Sequence, residues 1–313
     1  MSVHDAAYRQ IFSHVLVLES LLETVVSAEL ASLLDTAGGQ LLPSSYFARG
    51  GRSRNADLVW RLRRRDSREQ YILLSLEHQS TVDPLMALRM TTYTSLLLEN
   101  LARRERLVAG RLPLVLPIAI YSGTRRWAAS TRLEDLFTPA PLLLKRYQPR
   151  QEYLLIEQKQ QLMNGSLPTD SLLGLIFRLH HHQSLDELRE LVQTLNHRLS
   201  GEAAEGLRRT LLEWVMHGLL PERLPRVPLP ALNHFSEIST MLDDRPPNWT
   251  EQWMAQGQQA LLRHQMEHRF GPLAPHLQEL LGQGSEADVR AWSLNLLTAD
   301  NVQQVFASGS AQY

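Results

Sequence analysis

The 313-residue sequence predicts an α/β layer followed by helical domains. Two observations carry this prediction. The first half alternates helix-type and strand-type patterns and includes a nearly unbroken apolar run typical of a buried strand, and the second half has helix-type patterns alone. We expect an α/β domain over residues 1–160, a helical extension over 161–245 and a C-terminal helical domain over 246–313.

The first domain opens with a helix pattern and continues with two strand patterns. Apolar residues recur at three- and four-residue steps over residues 5–35, and Gly38-Gly39 is expected to end that helix. Strand patterns follow over residues 57–63 and 71–78.

A helix and two more strands complete this domain. Asp83-Pro84 opens the helix, since Asp is a good N-cap and Pro is tolerated in the first turn, and we expect it to reach about Arg106. The apolar run 114–121 predicts a strand buried on both faces of a sheet. Residues 152–156 are a shorter strand candidate.

The second half reads as helical throughout. Ser184 and Glu187 have the spacing of a capping box. Four prolines over residues 221–230 predict a linker within the helical extension, and the segment 269–272 (RFGP) is expected to end a helix in the last domain.

Composition excludes several classes of protein. The chain has no cysteine, which excludes disulfide scaffolds, thiol nucleophiles and Cys-ligated metal sites. No run approaches the roughly 20 apolar residues that a membrane span needs, and the N-terminus lacks the basic and apolar regions of a signal peptide. We expect a cytoplasmic protein without a membrane partner.

Arginine is concentrated near the start of a chain whose formal net charge is −1. Only Lys145 and Lys159 are lysines, and residues 49–68 carry eight arginines against Asp57 and Asp66. Arginine suits phosphate because its planar fork binds two oxygens at once. The cluster indicates an anionic partner, although codon bias or a solvated surface also explains it.

The two predicted strands bring polar residues onto one face. A hairpin symmetric about Ser67 pairs residues whose numbers sum to 134, which sets Asp57 opposite Glu77, with Gln79 further along the same face. Opposed carboxylates destabilise a hairpin unless a cation lies between them, and Mg²⁺ prefers such oxygen ligands. The alternative is that Asp57 is a strand-edge residue and Glu77 a solvated strand end.

Two further features bear on these strands. Arg89 and Tyr93 form one stripe of the following helix, which could face the strand ends. The other face of the hairpin is wholly apolar and is expected to pack on a helix. Its residues are Leu58, Trp60, Leu62, Ile72, Leu74 and Leu76.

A longer string of residues over about 4–160 is specific enough to compare with known families. Its residues are His4, Asp5, Tyr8, Arg9, Asp57, Leu58, Val59, Trp60, Leu76, Glu77, His78, Gln79, Ser80, Asp83, Met86, Arg89, Tyr93, Pro117, Ile118, Tyr121 and Gly123. This string resembles the Rpn family of recombination-promoting nucleases, also called YhgA-like transposases, within the PD-(D/E)XK nuclease superfamily. The last helical segment resembles a C-terminal domain of unknown function often appended to such proteins.

The resemblance implies a restriction-endonuclease-like mixed sheet flanked by helices and a Mg²⁺-dependent DNA endonuclease, with Mn²⁺ as a second candidate ion. Asp57 and Glu77 match the metal-binding acids, and Asp5 could add a further metal-side carboxylate. Gln79 stands where many superfamily members have lysine and would orient the attacking water. Arg89 could supply the missing positive charge.

The resemblance also makes DNA the anionic partner. Backbone phosphates are then expected on five arginines of the cluster, which are Arg49, Arg52, Arg54, Arg61 and Arg63. Nuclease families of this kind often act as dimers, so a homo-oligomer is compatible with the sequence, although no residue indicates one.

Two other functions stay open. A DNA- or partner-binding protein with a degenerate site is the leading rival, because the lysine position is lost. In a third interpretation, the helical half is an assembly module that carries the nuclease fold. The string His264-x-x-Glu267-His268 fits an inverted zinc-protease motif, but a polar helix face explains it better.

Overall fold

The structure is a computed structural model that divides by internal contacts into two compact units, Met1–Leu242 and Asp243–Tyr313. The predicted domain limits at 160 and 245 stay predictions. The residues that the structure describes are 3–43, 48–49, 52–53, 58–105, 107, 110–139, 141–224, 227, 229–243 and 247–306.

A five-stranded mixed sheet lies in the first unit, beside a separate two-stranded ladder. The strands are β1 (Leu34–Leu41), β2 (Ala48–Arg49), β3 (Arg52–Ser53), β4 (Leu58–Arg64), β5 (Ser67–Gln79), β6 (Leu114–Tyr121) and β7 (Leu154–Glu157). The sheet has the order β1-β4-β5-β6-β7, and the ladder joins β2 and β3. β1, β4 and β5 are antiparallel neighbours, whereas β5, β6 and β7 run parallel.

The single helix expected over residues 5–35 is wrong. The segment forms α1 (Val3–Ile11), α2 (Val15–Leu21), a π-helical turn (Leu22–Val26) and α3 (Ala28–Leu33), and the chain then enters strand β1.

Gly38 and Gly39, expected to end a helix, lie inside that edge strand. A Cβ atom at Gly39 would come within 2.9 Å of both a Leu62 methyl and the Thr36 carbonyl oxygen. Glycine therefore permits a close approach to the neighbouring strand beside the irregular register of β1.

Helices cover both faces of the sheet. The face on which the sequence predicts polar residues is therefore also covered by a helix. Helix α4 (Met86–Arg104) buries Met90 and Leu97 against Val59 and Leu73 of the sheet. Its start differs slightly from the prediction, because Asp83 Oδ1 instead accepts from the Leu85 amide in the turn before it.

Helix α1 contacts β5 on the opposite face, and α2 contacts β1. There the Trp60 indole donates to the Phe12 carbonyl at 2.9 Å. Trp60 belongs to the predicted apolar face, which therefore packs on the N-terminal helices.

The rest of the first unit is mostly helical. Ser184 caps its helix by accepting from the Glu187 amide, as predicted, whereas the Glu187 carboxylate accepts from Gln183. The predicted linker 221–230 begins in a helical turn, and Leu224 is buried. The helices are α5 (Leu142–Lys145), α6 (Gln158–Met163), α7 (Leu172–His181), α8 (Leu185–Arg198), α9 (Glu205–Trp214), α10 (Leu220–Arg223) and α11 (Glu237–Asp243), with a π-helical turn at Val215–Leu219.

The second unit has its own core around Met266 and Trp292. Its first helix ends at Phe270 and is followed by Gly271 in a left-handed conformation, which confirms the predicted stop. Its helices are α12 (Pro247–Phe270), α13 (Pro275–Gln283), α14 (Glu286–Thr298) and α15 (Val302–Val305). Within the described parts of both units, none of the helices has the length and hydropathy to cross a bilayer.

Candidate active site

The β4–β5 hairpin has the register that the sequence predicts. Leu58 lies opposite Leu76, and each further pair up to Arg63 sums to 134. Glu77 therefore follows directly after the last described pair. Asp57, its predicted partner, lies outside the described residues, so the pairing of these two acids stays a prediction.

Glu77 is a buried carboxylate at the carboxyl end of β5, with an exposed fraction of 3%. Arg89, from the first turn of α4, donates through Nη2 to Glu77 Oε1 and through Nη1 to Asp83 Oδ2, the latter at 3.2 Å. The Gln79 amide nitrogen lies 3.3 Å from the same Glu77 oxygen. Glu77, Gln79 and Arg89 thus form one cluster, as their predicted placement requires.

The Arg89 guanidinium offsets the cost of burying the Glu77 charge. Burial alone would lower the pKa of Arg89, but the attraction and hydrogen bond of Glu77 outweigh it and the pKa is raised. The guanidinium carbon also lies 5.9 Å from the Tyr93 ring centroid. The stripe of Arg89 and Tyr93 therefore faces the strand end, which its helical spacing predicts.

A row of polar side chains crosses the carboxyl ends of the three parallel strands. Gln79, Tyr121 and Glu157 are register partners on β5, β6 and β7. Glu157 Oε2 accepts from the Trp127 amide at 2.8 Å, and the Trp127 ring packs edge-on against Tyr121. Glu157 lies one residue beyond the predicted strand 152–156 and is absent from the predicted site residues, although a carboxylate at such a strand end is typical of a ligand site.

His78 points to the opposite face of β5, between Asp5 and Ser122. Its Nδ1 lies 3.0 Å from Asp5 Oδ1, and its Nε2 lies 3.0 Å from the Ser122 hydroxyl. Burial lowers the pKa of His78 to about 4, although Asp5 opposes this shift. Asp5 thus lies against His78 on the face away from Glu77, and its predicted role as a metal ligand stays a prediction.

Two of the predicted phosphate-binding arginines lie on β4. Arg61 donates to both carboxylate oxygens of Glu105, at 2.6 and 2.8 Å, and stacks on Tyr71. Arg63 is exposed. Arg61 pairs with Leu73, four residues before Glu77, which corresponds to about 13 Å along the strand.

The other three arginines cannot be placed at the site. Arg49 and Arg52 are partners in the β2–β3 ladder, but their side chains lie outside the described part of the structure, as does the whole of Arg54. Phosphate binding by the arginine cluster stays a prediction.

The donor atoms at this strand end suit a hard cation. Mg²⁺ takes one or two carboxylates and fills its remaining positions with water and substrate oxygens. The Glu77 carboxylate and the Gln79 amide oxygen are donors of that type. Among the described residues, which do not include Asp57, no three His, Asp or Glu side chains converge as a metal-binding group.

Comparison with known proteins identifies relatives. The family model described as "putative transposase, YhgA-like" matches residues 2–206. The chain is 27% identical over 122 residues to the recombination-promoting nuclease RpnD of Escherichia coli O157:H7, covering 39% of this chain and 46% of that protein. It is 28% identical over 120 residues to RpnC of strain K12, covering 38% and 39%.

A third relative bears on catalytic competence. The inactive recombination-promoting nuclease-like protein RpnE of Escherichia coli K12 is 26% identical over 157 residues, half of each chain. The matches thus span half or less of these curated relatives. No solved structure matches the chain.

Proposed function

The chain belongs to the family of YhgA-like transposases, and from that premise we propose that it is a Mg²⁺-dependent DNA endonuclease that hydrolyses phosphodiester bonds during DNA recombination. The names of RpnD and RpnC support the nuclease class. We also assign it to the PD-(D/E)XK fold, which the mixed sheet and its flanking helices support.

The observation that carries this proposal is the contact of Glu77 with Gln79 and Arg89 at the end of β5. A carboxylate with 3% exposure is costly to keep, because burial removes its hydration. Simple stability would favour an apolar residue at this position. A function for the charge explains its presence.

Each side chain has a distinct role in the proposed reaction. Glu77, together with Asp57, would hold Mg²⁺, with Mn²⁺ as an alternative; such an ion, when bound, polarises a phosphodiester oxygen and activates a water. Gln79 orients the attacking water through its amide. Arg89 places a positive charge beside the reacting phosphate, which Gln79 itself cannot supply.

DNA is the proposed substrate, and the cytoplasm is the proposed compartment. Arg63 is exposed on β4 and reaches a backbone phosphate without breaking an ion pair with Glu105, unlike Arg61. Such contacts depend on salt and carry no sequence information. A homo-oligomer is compatible with this assignment.

The test is cleavage of supercoiled plasmid by the purified full chain, with Mg²⁺, with Mn²⁺ and with a chelator. We expect nicking in either metal and none with the chelator. Glu77→Gln and Asp57→Asn should each reduce the rate by about 10²-fold or more while the far-UV spectrum stays unchanged. Glu99→Gln, on the exposed surface of α4, is the matched control and should cut like the wild type.

Full activity in either acid variant would overturn the site assignment. A degenerate DNA- or partner-binding protein is the second candidate, and one observation favours it: Arg89 already neutralises Glu77. The inactive relative RpnE belongs to the same group of matches. DNA binding without cutting, in both metals, would establish this candidate instead.

A further inference from the structure

His78 connects three elements of the first unit through its two ring nitrogens. It lies 3.0 Å from Asp5 of α1 on one side and 3.0 Å from Ser122, just after β6, on the other. A carboxylate accepts hydrogen bonds and does not donate them, so a neutral His78 carries its proton on Nδ1. Nε2 then accepts from the Ser122 hydroxyl.

The His78 ring is held in place by its surroundings. Tyr8 stacks on it at a centroid distance of 4.0 Å, with the two planes only 8° apart. The Tyr8 hydroxyl donates to the fully buried Gln158 at 2.9 Å, and Trp214 of α9 packs edge-on against Tyr8. The imidazole therefore has one orientation, fixed by α1, α6 and α9 together.

The hydrogen-bonded order serine, histidine, aspartate is that of a hydrolase triad, but here the serine and histidine are too deeply buried for a substrate to reach them. Ser122 has an exposed fraction of 5% and His78 of 6%. A nucleophile must reach the substrate carbonyl or phosphorus, and these side chains face the protein interior. Their hydrogen bonds therefore act on the protein itself.

Both His78 and Ser122 hold Gln79, the residue to which we assign the attacking water. The Ser122 amide donates to the Gln79 carbonyl oxygen at 2.9 Å. The Gln79 side-chain amide donates to the His78 carbonyl oxygen at 2.7 Å. The main chain of Gln79 is thus hydrogen-bonded to Ser122 and its side chain to His78.

We propose that Asp5, His78 and Ser122 form a positioning relay that fixes the end of β5, and with it the side chains of Glu77 and Gln79 on the opposite face. All three are positioning residues and not catalytic ones. Partners of this kind typically change metal affinity or activity by about 10–100-fold when they are removed. The catalytic part rests on the proposed function, whereas the rigidity of the strand end does not.

Two substitutions break the relay at different points. Ser122→Ala removes the hydroxyl that donates to Nε2, and Asp5→Ala removes the acceptor of the Nδ1 proton. Asp5→Glu keeps the carboxylate and should restore the relay, since Asp5 is partly exposed and has room. Ser32→Ala, which removes an exposed hydroxyl in α3, is the control.

Hydrogen–deuterium exchange of the peptide over residues 77–80 is the first readout, because it does not require DNA cleavage. Ser122→Ala and Asp5→Ala should accelerate exchange there by about tenfold relative to the other peptides of the sheet, and Asp5→Glu and Ser32→Ala should not. Wild-type exchange in both breaking variants would overturn the relay, even if the wild-type chain cuts no DNA.

The second readout is steady-state cleavage together with Mn²⁺ affinity. Loss of the relay should lower kcat by about 10–100-fold and leave KM for DNA unchanged. If Asp5→Ala alone weakens Mn²⁺ binding while Ser122→Ala changes nothing, then Asp5 is a metal ligand and the relay is overturned. Covalent labelling of Ser122 by a fluorophosphonate would also overturn it, because it would prove that the serine is open to substrates.

Discussion

The buried polar groups on the two faces of β5 differ in charge at the same strand end. On one face, the charged Glu77 meets the charged Arg89, whose side chain keeps one third of its exposure. On the other face, His78 is neutral and makes hydrogen bonds to Asp5 and Ser122. The first face therefore holds a charged pair that is partly open to solvent, whereas the second holds a closed series of hydrogen bonds.

The largest expected effect is a loss of stability when Arg89, the positively charged partner of Glu77, is removed. Arg89→Ala leaves the 3% exposed Glu77 without its guanidinium and should lower the free energy of unfolding by about 2–4 kcal/mol. Adding Glu77→Gln to Arg89→Ala should recover much of this loss. Urea denaturation measures both variants.

The control for that pair is Arg103→Ala, which breaks an exposed bridge to Glu99 on the same helix and should cost less than about 1 kcal/mol. Equal losses for Arg89→Ala and Arg103→Ala would mean that the Glu77 charge is already solvated. The contrast between the two faces of β5 would then disappear.

The second expected effect is a loss of stability in acid, caused by buried histidines that are neutral in the folded chain. Burial lowers the pKa of His180 to about 2 and of His181 to about 4, against 6.5 in the unfolded chain. Below pH 6.5 these two imidazoles become protonated in the unfolded chain but stay neutral in the folded chain. Stability should therefore be constant above about pH 7 and fall from pH 6.5 towards 4, by at most about 1.4 kcal/mol per pH unit for each imidazole.

Urea titrations at pH 7.5, 6.5 and 5.5 measure this slope. His180 packs on His4, Tyr8 and Trp214, so His180→Phe offers an apolar ring of similar breadth and should flatten the curve. An unchanged slope in this variant would show that His180 is solvated or already protonated in the folded chain.

A smaller effect concerns DNA affinity on the face of Glu77. Arg63 is exposed, whereas Arg61 is bound by Glu105. Arg63→Ala should weaken binding and lower the salt-dependence slope by about 1, and Arg61→Ala should change the slope less. Fluorescence anisotropy over a range of salt concentrations distinguishes them, and the opposite ranking would place the DNA on Arg61.

The smallest effect is expected from removing the second unit. A chain ending at residue 242 keeps both faces of β5 and the whole first compact unit, so it should still unfold in one cooperative transition in urea. Light scattering of the two chains tests the alternative that the helical C-terminal region drives assembly. A larger number of chains per particle in the full-length protein than in the truncated one would favour that alternative.

The sequence predicts the central hairpin and its neighbour well, because these strands have strong patterns. The pairs from Leu58–Leu76 to Arg63–Tyr71 keep the predicted 134 register, although Arg64 pairs with Ser67 at the turn and the register shifts between them. Of the apolar run 114–121, the residues from Pro117 onward are buried as predicted, whereas Leu114 at its start is exposed, which the prediction of burial on both faces did not allow for. The register placed Glu77 and Gln79 on the face of α4, where Arg89 meets them. Local spacing was sufficient for that half of the site.

The missed features depend on contacts between distant segments. Strand β1 has the sequence LDTAGGQL, which is poor in strand formers, and Gly39 lies close to Leu62 of β4 within the irregular part of its pairing. Likewise, Asp5, His78 and Ser122 lie on three elements, and each alone is an ordinary polar residue. No periodicity in the sequence relates them.

The position of Tyr8 affects how chimaeras of this family should be built. Its ring touches His78 of the sheet, His180 of α7 and Trp214 of α9, so a single side chain belongs to segments on both sides of residue 160. Swapping the sheet between homologues at residue 160 would pair a foreign surface with this ring. A crossover at residue 243 exchanges whole units and leaves those interlocking rings with their native neighbours.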